Sequence, residues 1–155
     1  MESKTSINRP LDILLAEDNP ADVRLLKEAL RETGNPNCLQ VGVDGEQTLE
    51  ILRERSLKRS LPDLIILDLN LPRKSGCEVL EIIKNDAILR RIPVIVLTTS
   101  TDANDIASVY DLRGNCYVQK PDDFDQLVQI VRSIEHFWYS TVLLPPQAHV
   151  VSPTV

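Results

Sequence analysis

Five short apolar runs alternate along the chain with longer stretches of helical periodicity. The runs have the length and composition of buried strands and lie near residues 12–17, 38–43, 63–68, 93–98 and 115–119. The helical stretches lie near residues 20–33, 45–55, 75–85, 102–112 and 123–139. This alternation predicts an α/β fold with a parallel sheet covered by helices on both faces. Five strands fit the flavodoxin-like, doubly wound order 2-1-3-4-5.

The composition predicts one globular domain. Of 155 residues, 43% are hydrophobic and 26% are charged, so the chain can bury a core without disulfides or a structural metal. We expect the domain to span residues 11–139, with tails at 1–10 and 140–155. The net charge of −6 argues against a nonspecific nucleic-acid binder, which normally carries a basic face.

The cysteines and histidines limit the cellular compartment and the kinds of metal or catalytic site that we expect. Cys38, Cys77 and Cys116 are far apart and lack metal-ligand or redox spacing, which predicts reduced thiols in the cytoplasm. The absence of an apolar signal core or a run of membrane-spanning length predicts no membrane association. With only His136 and His149, we expect neither a histidine-based metal site nor a Ser-His-Asp triad.

Reactive side chains stand where four predicted strands end. Glu17 and Asp18 follow the first strand and Asp68 follows the third, while Thr98 closes the fourth and Lys120 follows the fifth. The carboxyl ends of parallel strands meet at one edge of an open α/β sheet, where such folds build their sites. We therefore expect three carboxylates, a hydroxyl and an ammonium group to converge there.

This set of groups suits phosphoryl transfer beside a divalent cation. Mg²⁺ prefers carboxylate, carbonyl and water oxygens, and without a cation the close carboxylates would repel until one took up a proton. Alone, each residue has an ordinary interpretation, as a helix cap, a turn acid, a strand-end hydroxyl or a solvated turn lysine. Together they favour a phosphoryl group carried by Asp68, with Lys120 and Thr98 at its oxygens.

The combined motifs resemble the receiver domain of two-component response regulators. In the family's order they are Glu17-Asp18, Asp68-x-x-x-Pro72-x-x-x-Gly76, Thr98 and Lys120-Pro121. The resemblance covers about residues 10–138. It implies phosphorylation of the protein itself and not turnover of an external substrate.

The resemblance also implies roles for individual residues. Asp68 is the phosphoacceptor, and Thr98 and Lys120 contact the phosphoryl group. Tyr117 matches the aromatic switch position, whose ring moves inward as the threonine hydroxyl shifts toward the phosphate. The alternative for Tyr117 is an ordinary half-buried strand tyrosine.

A Mg²⁺ ion is the implied cofactor. Asp18 is expected to bind it directly and Glu17 partly through water. The carboxylate of Asp68 and the backbone carbonyl of Asn70 complete the expected protein ligands.

A second set of residues resembles the small response regulators of cyanobacterial phytochromes. The set is Leu97-Thr98-Thr99-Ser100, Asn115-Cys116-Tyr117 and Ile134-Glu135-x-Phe137-Trp138. This resemblance implies a receiver without an output domain that accepts phosphate from the histidine of a light-sensing kinase. Asp122-Asp123 departs from the commoner family pattern and leaves the partner preference open.

The last predicted helix has a wider apolar face than one core needs. Its expected core stripe is Phe124, Leu127, Val128, Val131, Ile134 and Trp138. Ile130 and Phe137 widen the apolar arc to roughly 180°, against the usual ~100°. Either the tail segment Val142-Leu143-Leu144 folds over this flank, or the helix forms a homodimer face. The second resemblance favours a dimer, with Ile130, Phe137 and Trp138 at the interface.

Two other functions compete with the receiver. A Mg²⁺-dependent aspartyl phosphohydrolase of the haloacid-dehalogenase type would need a second Asp two positions after Asp68, where this chain has Asn70. A phosphorylation-independent adaptor with the receiver fold would usually lack the phosphoacceptor or the lysine, both of which are present here.

Overall fold

Each strand of the sheet leads into a helix that returns the chain to a parallel neighbour. The computed structural model describes residues 9–146, so the outer parts of the two expected tails, 1–8 and 147–155, lie outside the described residues. The strands are β1 Leu11–Ala16, β2 Asn37–Gly42, β3 Leu64–Leu67, β4 Val94–Thr98 and β5 Cys116–Gln119. The helices are α1 Pro20–Thr33, α2 Gly45–Leu57, α3 Gly76–Asn85, α4 Ala103–Asp111 and α5 Phe124–Glu135.

The sheet has the strand order β2-β1-β3-β4-β5, and every neighbouring pair is parallel. The predicted flavodoxin-like fold is therefore confirmed. The inner strands β3 and β4 are buried along their whole length, as expected where helices cover both faces of a sheet.

Two apolar layers sandwich the sheet. One layer packs α1 and α5 against it through Leu26, Leu30, Leu127, Val128 and Val131. The opposite layer packs α2, α3 and α4 through Leu49, Leu52, Leu80, Ile83 and Val109. Helices therefore cover both faces of the sheet, and the polar residues of the predicted site lie at the carboxyl ends of the strands.

The start of α1 is fixed by its capping residues. The Asn19 side chain accepts hydrogen bonds from the backbone N–H groups of Ala21 and Asp22, and Pro20 occupies the first helical position. Gly34 ends the helix with φ 75, a left-handed conformation that glycine adopts at little cost. These signals determine where α1 begins and ends.

The last helix differs from the prediction in two respects. The α-helix ends at Glu135, and the chain continues as a π-helix, His136–Thr141, which places Trp138 and Tyr139 against the layer of α1 and α5. Phe124 is wrong as a core residue, since it remains 36% exposed. It is the first residue of α5 and lines a cavity at the carboxyl ends of the strands, so it is not enclosed by the core.

The tail covers less of α5 than one interpretation predicted. Leu144 packs against the layer of α1 and α5, but Leu143 remains 78% exposed. Phe137 is still 47% exposed. The prediction that the tail segment covers the apolar flank is therefore wrong at Phe137. None of the helices between residues 9 and 146 is both long and apolar enough to cross a membrane.

Asp63 anchors the amino-terminal end of the sheet. Its buried carboxylate accepts two hydrogen bonds from the Arg9 guanidinium, at 2.6 and 2.7 Å, and a third from the Asp12 backbone N–H at 2.9 Å. We expect Asp63→Ala to lower the free energy of unfolding by about 2 kcal/mol, because it leaves the partly buried Asp12 N–H unpaired and removes a buried carboxylate with its three hydrogen bonds. Arg9→Ala should cost less, since the Arg9 side chain is half-exposed. Equal losses in urea unfolding would contradict this assignment.

Candidate functional site

The register of β1 and β3 brings the acidic residues together. Ala16 lies opposite Leu67, and the Asp68 N–H donates to the Ala16 carbonyl at 3.0 Å. Glu17 and Asp68 are therefore neighbours at the strand ends, and both are buried, while Asp18 is exposed. Carboxylate oxygens of the three residues lie within 4.8 Å of one another, as the sequence predicted.

Lys120 crosses to this cluster from the end of β5. Its N–H donates to the Thr98 carbonyl at 2.7 Å, which fixes the end of β5 against β4. Its Nζ donates to Glu17 Oε1 at 2.5 Å and to Asp68 Oδ2 at 2.9 Å. It also donates to Asp22 Oδ2 at 2.9 Å. One ammonium group thus compensates three carboxylates in a partly enclosed position.

The charges of the cluster are set by this arrangement. Burial works against the charged form of Lys120, but its hydrogen bonds to Glu17, Asp22 and Asp68 outweigh burial and raise its pKa. Burial also works against ionised Asp68, yet hydrogen bonds from Lys120, Glu17 and the Asn70 N–H lower its pKa below the ordinary value of 3.8. Asp68 is consequently an ionised carboxylate at neutral pH.

The pKa of Glu17, in contrast, is raised. Burial, assisted by the adjacent Asp68, outweighs the hydrogen bond from Lys120 and raises the pKa of Glu17 to about 7. Two close carboxylates tend to share one proton when no cation neutralises them. The raised pKa favours a protonated Glu17 below about pH 7, and a bound cation would favour its ionised form.

Thr98 contributes a hydroxyl that has no partner within the described residues. Its side chain is fully buried, and Oγ1 makes no hydrogen bond there. Buried hydroxyl groups are nearly always satisfied, so an orphaned one beside a charged site marks a place for an incoming acceptor. A phosphoryl oxygen has the required chemistry.

The donor set fits a hard divalent cation. Glu17, Asp18 and Asp68 offer only carboxylate oxygens, the type of ligand that Mg²⁺ and Mn²⁺ favour. The N–H of Asn70 donates to Asp68 Oδ1 at 3.2 Å, which places this residue beside the cluster. The assignment of its backbone carbonyl as a ligand stays a prediction.

Tyr117, on β5, contacts the loop that follows Thr98. Its hydroxyl donates to the Ser100 carbonyl at 2.9 Å, in the loop that follows Thr98, and its half-buried ring packs against the layer of α2, α3 and α4. Its burial matches the ordinary strand tyrosine. Its bond to this loop matches what a switch residue requires, and that role stays a prediction.

Asp22 is a site residue that sequence reasoning missed. An acid at the third position of a helix is ordinarily interpreted as a capping or first-turn charge. Here its carboxylate accepts from Lys120 instead. The available signal was its position in the first turn of the helix that leaves the Glu17-Asp18 pair.

The expected dimer residues lie apart from the acidic cluster. Ile130 and Trp138 are half-buried and Phe137 is exposed. The rings of Phe137 and Trp138 form an edge-to-face pair with centroids 5.1 Å apart. Trp138 also packs against its own core, so less of it is free for a partner than the sequence indicated.

Comparison with known proteins decides the family. The family model for the response regulator receiver domain matches residues 13–132. The chain belongs to this family. The roles predicted for Glu17, Asp18, Asp68, Thr98 and Lys120 within this domain stay predictions.

Relatives of the receiver domain include phytochrome response regulators. Response regulator Rcp1 of Synechocystis sp. is 43% identical over 140 residues, which cover 89% of this chain and 95% of Rcp1. The crystal structure of the phosphorylated cyanobacterial phytochrome response regulator RcpA superposes with a TM-score of 0.82 at 48% identity, covering 88% of this chain and 99% of RcpA. The Mn²⁺-bound form of Rcp1 gives a TM-score of 0.79 at 43% identity, covering 88% and 100%.

The raised pKa of Glu17 predicts a pH-dependent stability without metal. Folded Glu17 holds its proton up to about pH 7, whereas the unfolded residue loses it near 4.5. The free energy of unfolding should therefore fall as pH rises between these values and level off above them. The lowered pKa of Asp68 acts only at more acidic pH, below 3.8, where stability is lost as pH falls.

Urea unfolding with a chelator present, compared between about pH 5 and about pH 8, measures this fall. Glu17→Gln should remove most of it, and excess Mg²⁺ should reverse it in the original protein by replacing the proton. An equal pH dependence in Glu17→Gln would contradict the assignment of the proton to Glu17.

Proposed function

We propose that this receiver accepts a phosphoryl group on Asp68 from a sensor histidine kinase and signals through protein contacts. The observation that carries the proposal is the position of Asp68, an ionised, buried carboxylate that contacts the Lys120 ammonium and lies beside Glu17. A nucleophilic carboxylate needs this combination of ionisation and fixed orientation.

The transfer step follows from the residues around Asp68. A carboxylate oxygen of Asp68 forms a bond to phosphorus while the phosphorus–nitrogen bond of a phosphohistidine breaks, and the electron pair of that bond returns to the imidazole. Lys120 stabilises the charge of the phosphoryl oxygens, and the free hydroxyl of Thr98 donates to one of them. The chemistry is directed at the protein itself, which acts on no external substrate.

Mg²⁺ is the proposed cofactor, held by Asp18, Glu17, Asp68 and the Asn70 carbonyl. The all-oxygen donor set and the Mn²⁺-bound form of Rcp1 support this choice. When bound, the cation neutralises the negative charge that accumulates between carboxylates and phosphoryl oxygens. Asp18, the exposed member of the set, is accessible to an entering ion.

A phytochrome-type light-sensing kinase is the proposed phosphodonor. The likeness to Rcp1 and RcpA supports this pairing. A cavity of about 160 Å³ adjoins Asp68 and Lys120, and the partly exposed apolar side chains of Leu25 and Phe124 border it. This apolar rim offers a partner helix a contact surface close to the phosphoacceptor.

The remaining proposals concern the setting of the reaction. We place the protein in the cytoplasm, supported by three free cysteines among which no disulfide is formed. Residues 11–139 are the proposed folded unit, with the remaining residues as tails. Signal output is proposed to pass through Tyr117 to the surface of α4, β5 and α5, where a homodimer forms.

Phosphorylation is tested by intact-mass spectrometry after incubation with a small-molecule phosphodonor and Mg²⁺. We expect a gain of one phosphoryl group that requires the cation and is absent in Asp68→Asn. Thr98→Val should slow the gain by about tenfold or more, because a donor to the phosphoryl oxygens is lost.

The same experiment separates the receiver from the adaptor. No gain in mass, under conditions where a control receiver reacts, would favour a phosphorylation-independent adaptor. Transfer from a phosphorylated phytochrome-type kinase should outpace transfer from an unrelated histidine kinase, and equal rates would contradict the proposed pairing.

The dimer proposal predicts a clear effect of one substitution. Phe137→Asp places a charge on the exposed apolar flank, so it should give a folded monomer in sedimentation velocity. Leu57→Asp is a matched control, because Leu57 is 87% exposed at the distant end of α2. An unchanged dimer in Phe137→Asp would exclude this flank as the interface.

A further inference from the structure

The N-terminus of α2 presses against the loop that follows Asp68. The N–H of Gly45 donates to the Pro72 carbonyl at 3.3 Å. A Cβ atom at Gly45 would lie 2.2 Å from the Lys74 carbonyl oxygen and 2.9 Å from its carbonyl carbon. No side chain therefore fits at Gly45 unless the loop backbone moves outward.

The loop is too tightly closed to absorb such a movement locally. The Lys74 N–H donates to the Pro72 carbonyl at 2.9 Å, and the Gly76 N–H donates to the Leu69 carbonyl at 2.9 Å. Between these bonds, Arg73 has a left-handed backbone with φ 69, which is uncommon for a residue with a side chain. A displacement at Lys74 is consequently transmitted to residues 69–72, which include Asn70.

Ion pairs reinforce the contact from outside. Arg73 Nε lies 3.3 Å from Asp44 Oδ2, and Arg73 Nη1 lies 3.8 Å from Glu46 Oε2. Because the Arg73 side chain is 66% exposed, these pairs add little energy of their own. The close backbone packing at Gly45 is the main constraint.

We propose that Gly45 and the left-handed turn at Arg73 are positioning elements for the divalent cation. They hold the loop so that Asn70 stays beside Asp68, whose Oδ1 accepts from the Asn70 N–H. Neither residue contacts the cation. The inference rests on the proposed function, because it requires a cation at the acidic cluster.

The test measures Mn²⁺ affinity by electron paramagnetic resonance of the free ion, together with thermal unfolding in a chelator. We expect Gly45→Ala to weaken Mn²⁺ binding about tenfold, as loss of an outer-shell support typically does. Gly34→Ala is the control, because it strains a left-handed backbone position outside the loop, where the added Cβ atom meets nothing within 4 Å. It should lower the melting temperature and leave Mn²⁺ affinity unchanged.

A second pair of variants changes the loop itself and leaves the sequence of α2 unaltered. Arg73→Val disfavours the left-handed backbone and should weaken Mn²⁺ binding, whereas Arg73→Gly keeps that backbone and should bind within about twofold of the original protein. A folded Gly45→Ala with unchanged affinity, or equal losses in Arg73→Val and Arg73→Gly, would overturn the inference alone. Failure of the unaltered protein to bind Mn²⁺ would overturn the proposed cation site and this inference with it.

Discussion

Lys120 holds three carboxylates together at the carboxyl edge of the sheet. Its ammonium group contacts Glu17, Asp22 and Asp68 at once, and without it these acids would repel or protonate. Compensation is incomplete, because Glu17 retains a proton up to about pH 7. Either a proton or a divalent cation can supply the missing positive charge. Binding of a cation is therefore linked to the protonation of Glu17.

The geometry of the sheet makes this arrangement possible. Parallel strands end at one edge, and the β1–β3 register sets Glu17 beside Asp68, while the bond from the Lys120 N–H to Thr98 aligns β5 with β4. Burial on both sheet faces keeps the strands fixed. The loops after Asp68 and Thr98 are in turn restrained by α2 and by the hydroxyl of Tyr117. A small rigid scaffold thus positions groups that come from four strands.

Two features suggest how a charge change at Asp68 reaches the surface. The Thr98 hydroxyl has no hydrogen-bond partner among residues 9–146, and the carbonyl of Ser100, in the loop that follows it, accepts from the Tyr117 hydroxyl. The ring of Tyr117, on β5, packs against the apolar layer of α2, α3 and α4. Coupling along this route requires two arrangements of the loop, each favoured by one state of Asp68.

The sequence by itself determined the fold class, the strand order and the meeting of the strand-end carboxylates with Lys120, because buried strands and their polar ends leave strong local patterns. Only the tertiary structure decided the partners of Lys120, since the role of Asp22 depends on how α1 leaves the sheet. It likewise decided that Phe124 stays partly exposed and that a π-helix follows Glu135. Helical periodicity records which face is apolar, but the packing of neighbouring elements determines where that face ends.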